Sequence, residues 1–179
     1  MIKDDDIHCM LDLETLGHNS DAAIIQIGSC IFNKTNILAK LRVNINWEDA
    51  LKYGKVTAST LKWWMSQSDE ARNSVTLEKE TSLSACNIFT GFCGAYQNKY
   101  RIDHFWSHAS FDFPIFTNLC KNLGLLNPID FRKCRDLRTM DALFPIDWPE
   151  RTGIHHDALD DAVYQANCLQ MQFKEILGR

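Results

Sequence analysis

The 179-residue sequence has no long apolar run and no export signal, and both absences narrow the class of protein. A membrane-spanning helix needs ~20 consecutive apolar residues, and no stretch of the chain approaches that length. The N-terminal segment MIKDDDIHCM lacks the basic-then-apolar order of a signal peptide. We therefore expect a soluble protein that stays in the cytoplasm where it is made and has no membrane partner.

Paired cysteines are also missing. The seven cysteines form no C-x-x-C pair, and no two Cys or His residues fall at zinc-finger spacing. Their number is odd and most of them stand in apolar segments, which is typical of reduced thiols in the core of a cytosolic protein. A disulfide-stapled secreted domain and a zinc finger are therefore not expected.

The chain has no excess of positive charge, because its formal net charge is −4. This balance argues against a protein that holds nucleic acid through a broad basic surface. Nucleic acid itself stays open as a ligand, since metal ions bound to acidic side chains supply positive charge that can face phosphate.

Length and patterning predict one domain over residues 1–179, with 45% hydrophobic residues and no repeat, low-complexity tract or linker. Apolar runs predict strands at 7–11, 23–32 and 37–43 as an antiparallel meander, and shorter strands at 104–109 and 132–135. Helical spacing predicts helices from residue 59, over 83–96, 113–123 and 137–143, and a last helix with inward Leu159, Val163, Ala166, Leu169, Phe173 and Leu177. The expected fold class is α/β, a mixed five-stranded sheet with three antiparallel strands first, flanked by helices.

Two acids end the first predicted strand, in the segment CMLDLETLGH. Asp12 and Glu14 are two residues apart, so in a strand their side chains project to the same face and repel each other. A divalent cation held between the carboxylates would remove that repulsion. The alternative is a solvated strand end, and the spacing alone favours neither interpretation.

Two further acids stand where predicted helices begin. Asp112 follows the strand HFWSHA, and Asp161 lies in HHDALDDA at the start of the last helix. Carboxylates in a first helical turn often only stabilise the helix dipole, and Asp157 and Asp160 suit that role. Asp161 is different, because four acids at strand and helix ends of one small domain are typical of a cage for two metal ions.

These motifs resemble the DEDDh subgroup of 3′-5′ exonucleases in the ribonuclease H-like superfamily. The resemblance rests on DLET at residues 12–15, FD at 111–112 and H-x4-D from His156 to Asp161. The sequence is similar in particular to one branch of this subgroup, the phage DexA-type exonucleases and Rv2179c-like exoribonucleases. The segments that carry this similarity are TLKWWMSQS, WSHASFDFPI, CRDLRTMDAL and HHDALDDAVYQA. Together the segments span residues 9–166, and the branch implies a bacterial or phage-infected cell.

The resemblance implies a catalytic set and a substrate. Asp12, Glu14, Asp112 and Asp161 would hold two divalent ions, Mg²⁺ or Mn²⁺, at the 3′ end of single-stranded DNA or RNA, and nucleoside monophosphates would be released. His156, rather than His155, has the spacing of the family's general base, which predicts a decline of activity below about pH 6. Thr15 and Leu16 would contact the terminal nucleotide, with Leu16 as a wedge, and Ser107, His108 and Phe111 would line the path of the next nucleotide.

Several alternatives remain open at this level. A nucleic-acid-binding or partner-binding module without activity and an endonuclease of the same superfamily are both compatible with the fold, and a homodimer is a further alternative. Trp63, Trp64 and Trp106 are expected in or at the edge of the core, although Trp64 or Phe111 could instead stack on a base. The basic run FRKCRDLR offers Arg132, Lys133, Arg135 and Arg138 as phosphate contacts or as a solvated face.

Overall fold

Five strands form one sheet in the order β3-β2-β1-β4-β5 in a computed structural model that describes residues 2–77 and 79–177. The first three strands are antiparallel neighbours, and the last two run parallel to β1. Their bounds are β1, Ile7–Thr15; β2, Ile24–Phe32; β3, Ile37–Asn44; β4, Ile102–Ser107; and β5, Cys134–Asp136. The predicted fold class, a mixed sheet opened by an antiparallel meander, is confirmed.

Seven α-helices accompany the sheet among the described residues. They are α1, Trp47–Ala50; α2, Ala58–Met65; α3, Asp69–Thr76; α4, Ser82–Tyr100; α5, Asp112–Asn122; α6, Leu137–Leu143; and α7, Ala158–Leu177. The short α1 and α3 were not predicted from the sequence. Each begins at a local cap, because Asn46 and Ser68 accept a hydrogen bond from a backbone N–H three residues on.

The last predicted strand, 132–135, is wrong in its bounds. A 3-10 helix occupies Phe131–Lys133, and β5 begins only at Cys134. The cause is local, because the Asp130 side chain accepts a hydrogen bond from the backbone N–H of Arg132 and turns the chain before it can pair.

The sheet separates two hydrophobic clusters. Along β1, Cys9 and Leu11 face the larger cluster, which includes residues of α4 and α5, while Met10 faces the smaller one, formed mainly with α7. The inward positions Ala166, Leu169 and Phe173 of α7 are buried as predicted, and the side chain of Leu177 lies outside the described residues. Since side chains alternate along a strand, Asp12 and Glu14 continue the row of Met10 on the α7 side.

The chemistry of the cysteines also agrees with the sequence. All seven are unpaired, and all except the half-buried Cys134 are buried. In the part of the chain that the structure describes, we find no helix with the length and apolar character needed to cross a membrane.

Candidate active site

The start of α7 lies directly against the sheet because β2 carries a glycine there. Gly28 pairs with Asp12 across the β1–β2 ladder. A Cβ at Gly28 would lie 2.0 Å from the backbone carbon of Ala158, so no larger residue fits without moving the helix. A glycine inside a strand permits this close backbone approach. As a result, the first turns of α7 stand next to the carboxyl end of β1.

Asp157 fixes the orientation of α7 at this point. Its fully buried carboxylate accepts hydrogen bonds from the backbone N–H groups of Leu159 and Asp160, both at 3.1 Å, and forms a 2.9 Å ion pair with Arg42. Gln26 Oε1 accepts the N–H of Ala158 at 2.6 Å. Asp157 is therefore a helix cap, as the sequence predicted, and its role is structural.

Four carboxylates converge where β1 ends and where α5 and α7 begin. Oxygen atoms of Asp12, Glu14 and Asp161 lie within 4.8 Å of one another. Asp112 joins them from α5, and its Oδ1 accepts the backbone N–H of Leu13 at 3.1 Å. All four side chains are buried, so the structure brings together every carboxylate that the sequence singled out.

This convergence is electrostatically unfavourable. Burial, together with the neighbouring charges of Asp112, Glu14 and Asp161, raises the pKa of Asp12 well above its usual range. Burial and the same kind of repulsion raise the pKa of Glu14. The site therefore holds more negative charge than its surroundings compensate.

The donor set fits divalent cations. Asp112 Oδ2 is buried and has no hydrogen-bond partner among the described residues, so this oxygen keeps its full capacity to accept a ligand contact. Carboxylate oxygens are the ligands that Mg²⁺ and Mn²⁺ prefer. Two of the carboxylates have side-chain partners that offset part of the charge. Asp12 Oδ1 accepts from Gln165 Nε2 at 2.7 Å, and Asp161 pairs with Arg151.

His156 stands beside this cluster with a constrained backbone. Its φ of 66° is in the left-handed region that non-glycine residues seldom adopt, and its N–H donates to Asp161 Oδ2 at 3.3 Å. The ring stacks on His155 with centroids 3.8 Å apart. Burial, His155 and Arg151 lower the pKa of His156 to about 4. A neutral imidazole therefore persists well below the limit near pH 6 that the sequence suggested.

The two adjacent tryptophans of α2 have different environments. Trp64 is buried and its Nε1–H donates to the Thr15 carbonyl at 2.8 Å, which ties α2 to the end of β1. Trp63 is 40% exposed and meets the His156 ring edge-on at 4.6 Å. Of the three tryptophans predicted in the core or at its edge, Trp64 and Trp106 are buried, whereas Trp63 lies at the edge, where it packs against Trp64 and lines the cleft. Since Trp64 is buried, it is not available to stack on a base.

The cleft above the carboxylates has a volume of about 910 Å³. Besides the four acids, its walls include Thr15, Trp63, His108, Phe111, Arg138, Trp148, Arg151, His155 and His156. Thr15, His108 and Phe111 are thus placed as the resemblance implied.

Leu16 and Ser107 are placed differently from the expectation. Leu16 is 2% exposed and packs in the larger hydrophobic cluster, so its side chain does not reach the cleft as a wedge. Ser107 is fully buried at the end of β4 and is not part of the cleft wall. For Leu16, apolar burial beneath the end of β1 explains the placement. Ser107 is a polar residue, and the structure gives no comparable reason for its burial.

The basic residues near the cleft only partly match the sequence analysis. Of the run 132–138, Arg138 lines the cleft, whereas Lys133 donates to the Ile102 carbonyl at 2.6 Å and Arg135 to the Cys134 carbonyl at 2.7 Å. Arg151, which sequence reasoning missed, forms an ion pair with Asp161. Its segment, PERTG, resembles any polar loop, and no local pattern reveals the contact.

Solved structures that share this fold include a nuclease domain of the DEDDh family and exonuclease I. The nuclease domain of 3′hExo, a DEDDh family member solved with rAMP, superposes with a TM-score of 0.63 at 13% identity, covering 95% of this chain and 92% of that one. E. coli exonuclease I in complex with a dA16 oligonucleotide superposes with a TM-score of 0.64 at 16% identity. The match covers 95% of this chain but 41% of exonuclease I, so the chain spans less than half of that protein. These likenesses show a shared fold.

Residues 7–173 match the family described as the 3′-5′ exoribonuclease Rv2179c-like domain, and the chain belongs to this family. It is also 26% identical over 157 residues to the exodeoxyribonuclease of Enterobacteria phage T4, which covers 73% of this chain and 68% of the phage protein.

Proposed function

We propose that the protein is a metal-dependent 3′-5′ exonuclease, carried by one domain, that removes nucleoside monophosphates from the 3′ end of single-stranded nucleic acid. The observation that carries the proposal is the cluster of Asp12, Glu14, Asp112 and Asp161, in which like charges converge and one buried oxygen lacks a partner. Such a cluster is unfavourable in the protein alone and becomes favourable with cations.

The four carboxylates would hold two divalent ions, Mg²⁺ or Mn²⁺. When bound, such ions acidify a water molecule and stabilise the negative charge that develops on the phosphate and on the departing 3′ oxygen. The protein's own contribution is to hold the oxygens in place. Asp112 is fixed by the Leu13 N–H, Asp12 by Gln165, and Asp161 by the turn that Asp157 caps.

His156 would accept the proton of the attacking water. Its ring is half-buried between His155 and Trp63, and its lowered pKa keeps it neutral at physiological pH. A neutral imidazole is a competent proton acceptor, and its constrained backbone and ring contacts limit its movement.

The walls of the cleft favour an unpaired strand end. Trp63, Phe111 and Trp148 offer aromatic surface on which bases stack regardless of sequence. The net charge of −4 argues against a broad basic surface of the kind that holds a duplex backbone. The family description refers to RNA and the phage relative's name to DNA, so both sugars are candidate substrates.

The test is a time course on 5′-labelled single-stranded DNA and RNA of one sequence, with Mn²⁺ and with chelator. We expect the labelled strands to be shortened stepwise from the 3′ end only when metal is present. The strand that is degraded faster, DNA or RNA, identifies the preferred sugar. A circular single strand should stay intact. Cleavage of the circle would indicate an endonuclease, and intact linear strands would favour a binding module without activity.

A further inference from the structure

Arg151 forms an ion pair with one of the four carboxylates, that of Asp161. Its guanidinium pairs with Asp161 Oδ1 and lies over the ring of Tyr164, with its central carbon 4.6 Å from the ring centroid. The side chain is 32% exposed and lines the cleft. Tyr164 also donates to the Pro149 carbonyl at 3.4 Å, so the segment that carries Arg151 is held against α7.

Because of this contact, the carboxylates of Asp161 and Asp112 differ in how many of their oxygens are free to bind a cation. Asp161 has both oxygens engaged by the chain, Oδ1 by Arg151 and Oδ2 by the N–H of His156. Asp112 Oδ2, by contrast, has no partner among the described residues. A cation that binds through Asp112 meets a free oxygen, whereas one that binds through Asp161 Oδ1 must displace a guanidinium.

We propose that Arg151 exchanges partners, leaving Asp161 when a divalent cation binds and then binding a phosphate of the terminal nucleotide. This inference rests on the proposed exonuclease function. A guanidinium is planar and always charged, and its fork of donors matches phosphate as well as carboxylate. The Tyr164 ring gives it a fixed platform on the cleft wall from which a short rotation of the side chain suffices.

Arg138 provides a matched comparison within the same cleft. It carries the same charge and lines the same cavity, but it forms no ion pair with any of the described carboxylates. Replacing Arg138 removes a positive charge from the neighbourhood, while replacing Arg151 removes the charge and also frees Asp161. The difference in Mn²⁺ affinity between the two variants therefore measures the effect of the direct contact with Asp161, apart from the effect of losing one positive charge.

The experiment measures Mn²⁺ binding by calorimetry and KM on a 5′-labelled single strand, for the wild type, Arg151→Gln, Arg138→Gln and Arg151→Lys. We expect Arg151→Gln to bind Mn²⁺ about tenfold more tightly and to raise KM about tenfold, because a charge-assisted contact is exchanged in each case. Arg138→Gln should tighten Mn²⁺ binding by less than about threefold, as expected of a charge that acts on Asp112 without a direct ion pair. Arg151→Lys should keep Mn²⁺ binding near the wild-type value and restore KM only in part.

Equal tightening of Mn²⁺ binding in Arg151→Gln and Arg138→Gln would overturn the exchange, since charge alone would then explain the effect. An unchanged KM in Arg151→Gln would overturn the phosphate contact. If the wild type binds Mn²⁺ and shortens the strand while Arg151→Gln behaves identically, only this inference fails. If the wild type neither binds Mn²⁺ nor cleaves, the proposed function fails and the exchange fails with it.

Discussion

The two ends of the central strands β1 and β4 bury titratable groups in opposite ways. Near the amino end of β1, His104 Nε2 of β4 lies 3.1 Å from Asp6 Oδ2, and Trp106 Nε1–H, also of β4, donates to His8 Nδ1 at 3.1 Å. At the carboxyl end of β1, the carboxylates of the catalytic cluster face one another. Groups of opposite or no charge meet at the first end, and like charges meet at the second.

The pKa values express this difference. Burial tends to raise the pKa of Asp6, but hydrogen bonds from the Lys3 N–H and from His104 lower it overall. Burial and three neighbouring acids raise the pKa of Asp12. The same sheet can therefore provide a buried aspartate with hydrogen-bond donors, as it does for Asp6. The uncompensated end is the one at which we propose that cations bind, and sites of this kind trade stability for function.

The largest expected effect is on kcat/KM, and it should differ between two aspartates that are equally exposed. Asp12 and Asp6 are each 8% exposed. Asp12→Ala should lower kcat/KM at least about a thousandfold, because a ligand oxygen is lost. Asp6→Asn, which keeps the size and one acceptor, should change it by less than about threefold. The two values come from initial rates on the labelled strand, and comparable losses in both variants would remove the distinction between the ends.

The histidines provide the next comparison. His156→Ala should reduce kcat about a hundredfold at saturating Mn²⁺, the typical contribution of a general base. His104→Gln should leave kcat nearly unchanged, because His104 contacts Asp6 and lies away from the cleft. Single-turnover kinetics on folded protein, checked by circular dichroism, gives both numbers. A His156→Ala enzyme with near wild-type kcat would show that the base is another group.

Stability should change in opposite directions at the two ends when metal is absent. Burial raises the pKa of Asp112 to about 8, so its neutral form supports folding below its ordinary pKa and that support is lost as the pH rises through about 8. In chelator at about pH 9, Asp112→Asn should raise the free energy of unfolding in urea by about 1–3 kcal/mol. The gain should shrink towards about pH 5, where the carboxyl group is neutral in the folded protein.

Asp6→Asn is the matched control for that measurement. The pKa of Asp6 is lowered, so its stabilising contribution is present above its ordinary pKa and is lost as the pH falls through the lowered value. The variant should therefore unfold at lower urea concentration near neutral pH. Destabilisation by both substitutions would mean that the carboxyl end of β1 is not under electrostatic strain.

The smallest expected effect is a shift of the acid limb of the pH–rate profile. Because the pKa of His156 is lowered to about 4, protons compete first with metal for Asp12 and Glu14, whose pKa values are raised. A tenfold higher Mn²⁺ concentration should move the limb down by about one pH unit if one proton competes with each bound ion, and by about half a unit if two protons do. If the acid limb stays near pH 6 at every Mn²⁺ concentration, it reports the protonation of a histidine with an ordinary pKa instead.

The sequence predicts the sheet and the four acids because both depend on local patterns. Long apolar runs form β1 and β2, and acids that follow strands or open helices are visible in one dimension. The close approach at Gly28 was not predicted. A glycine inside a buried strand permits such an approach, but the sequence does not specify the partner, Ala158, which is 130 residues away. Only the fold identifies that partner.

The remaining parts of the site depend on tertiary contacts that sequence patterns do not encode. Which of Trp63 and Trp64 turns inward is decided by the hydrogen bond from Trp64 to the Thr15 carbonyl. Arg151 meets Asp161 only because its loop folds back on α7, and Leu16 is drawn into the core beneath the end of β1. Motif reasoning therefore finds the four clustered carboxylates and misses the residues that surround them.

The most direct test of the account is a crystal structure grown with Mn²⁺ and a nucleoside monophosphate, with anomalous diffraction recorded for manganese. The account predicts two manganese peaks bound by oxygens of Asp12, Glu14, Asp112 and Asp161, with Asp112 Oδ2 among the ligands. A manganese-free cluster, or manganese bound only to His155, His156 and Asp161, would contradict it.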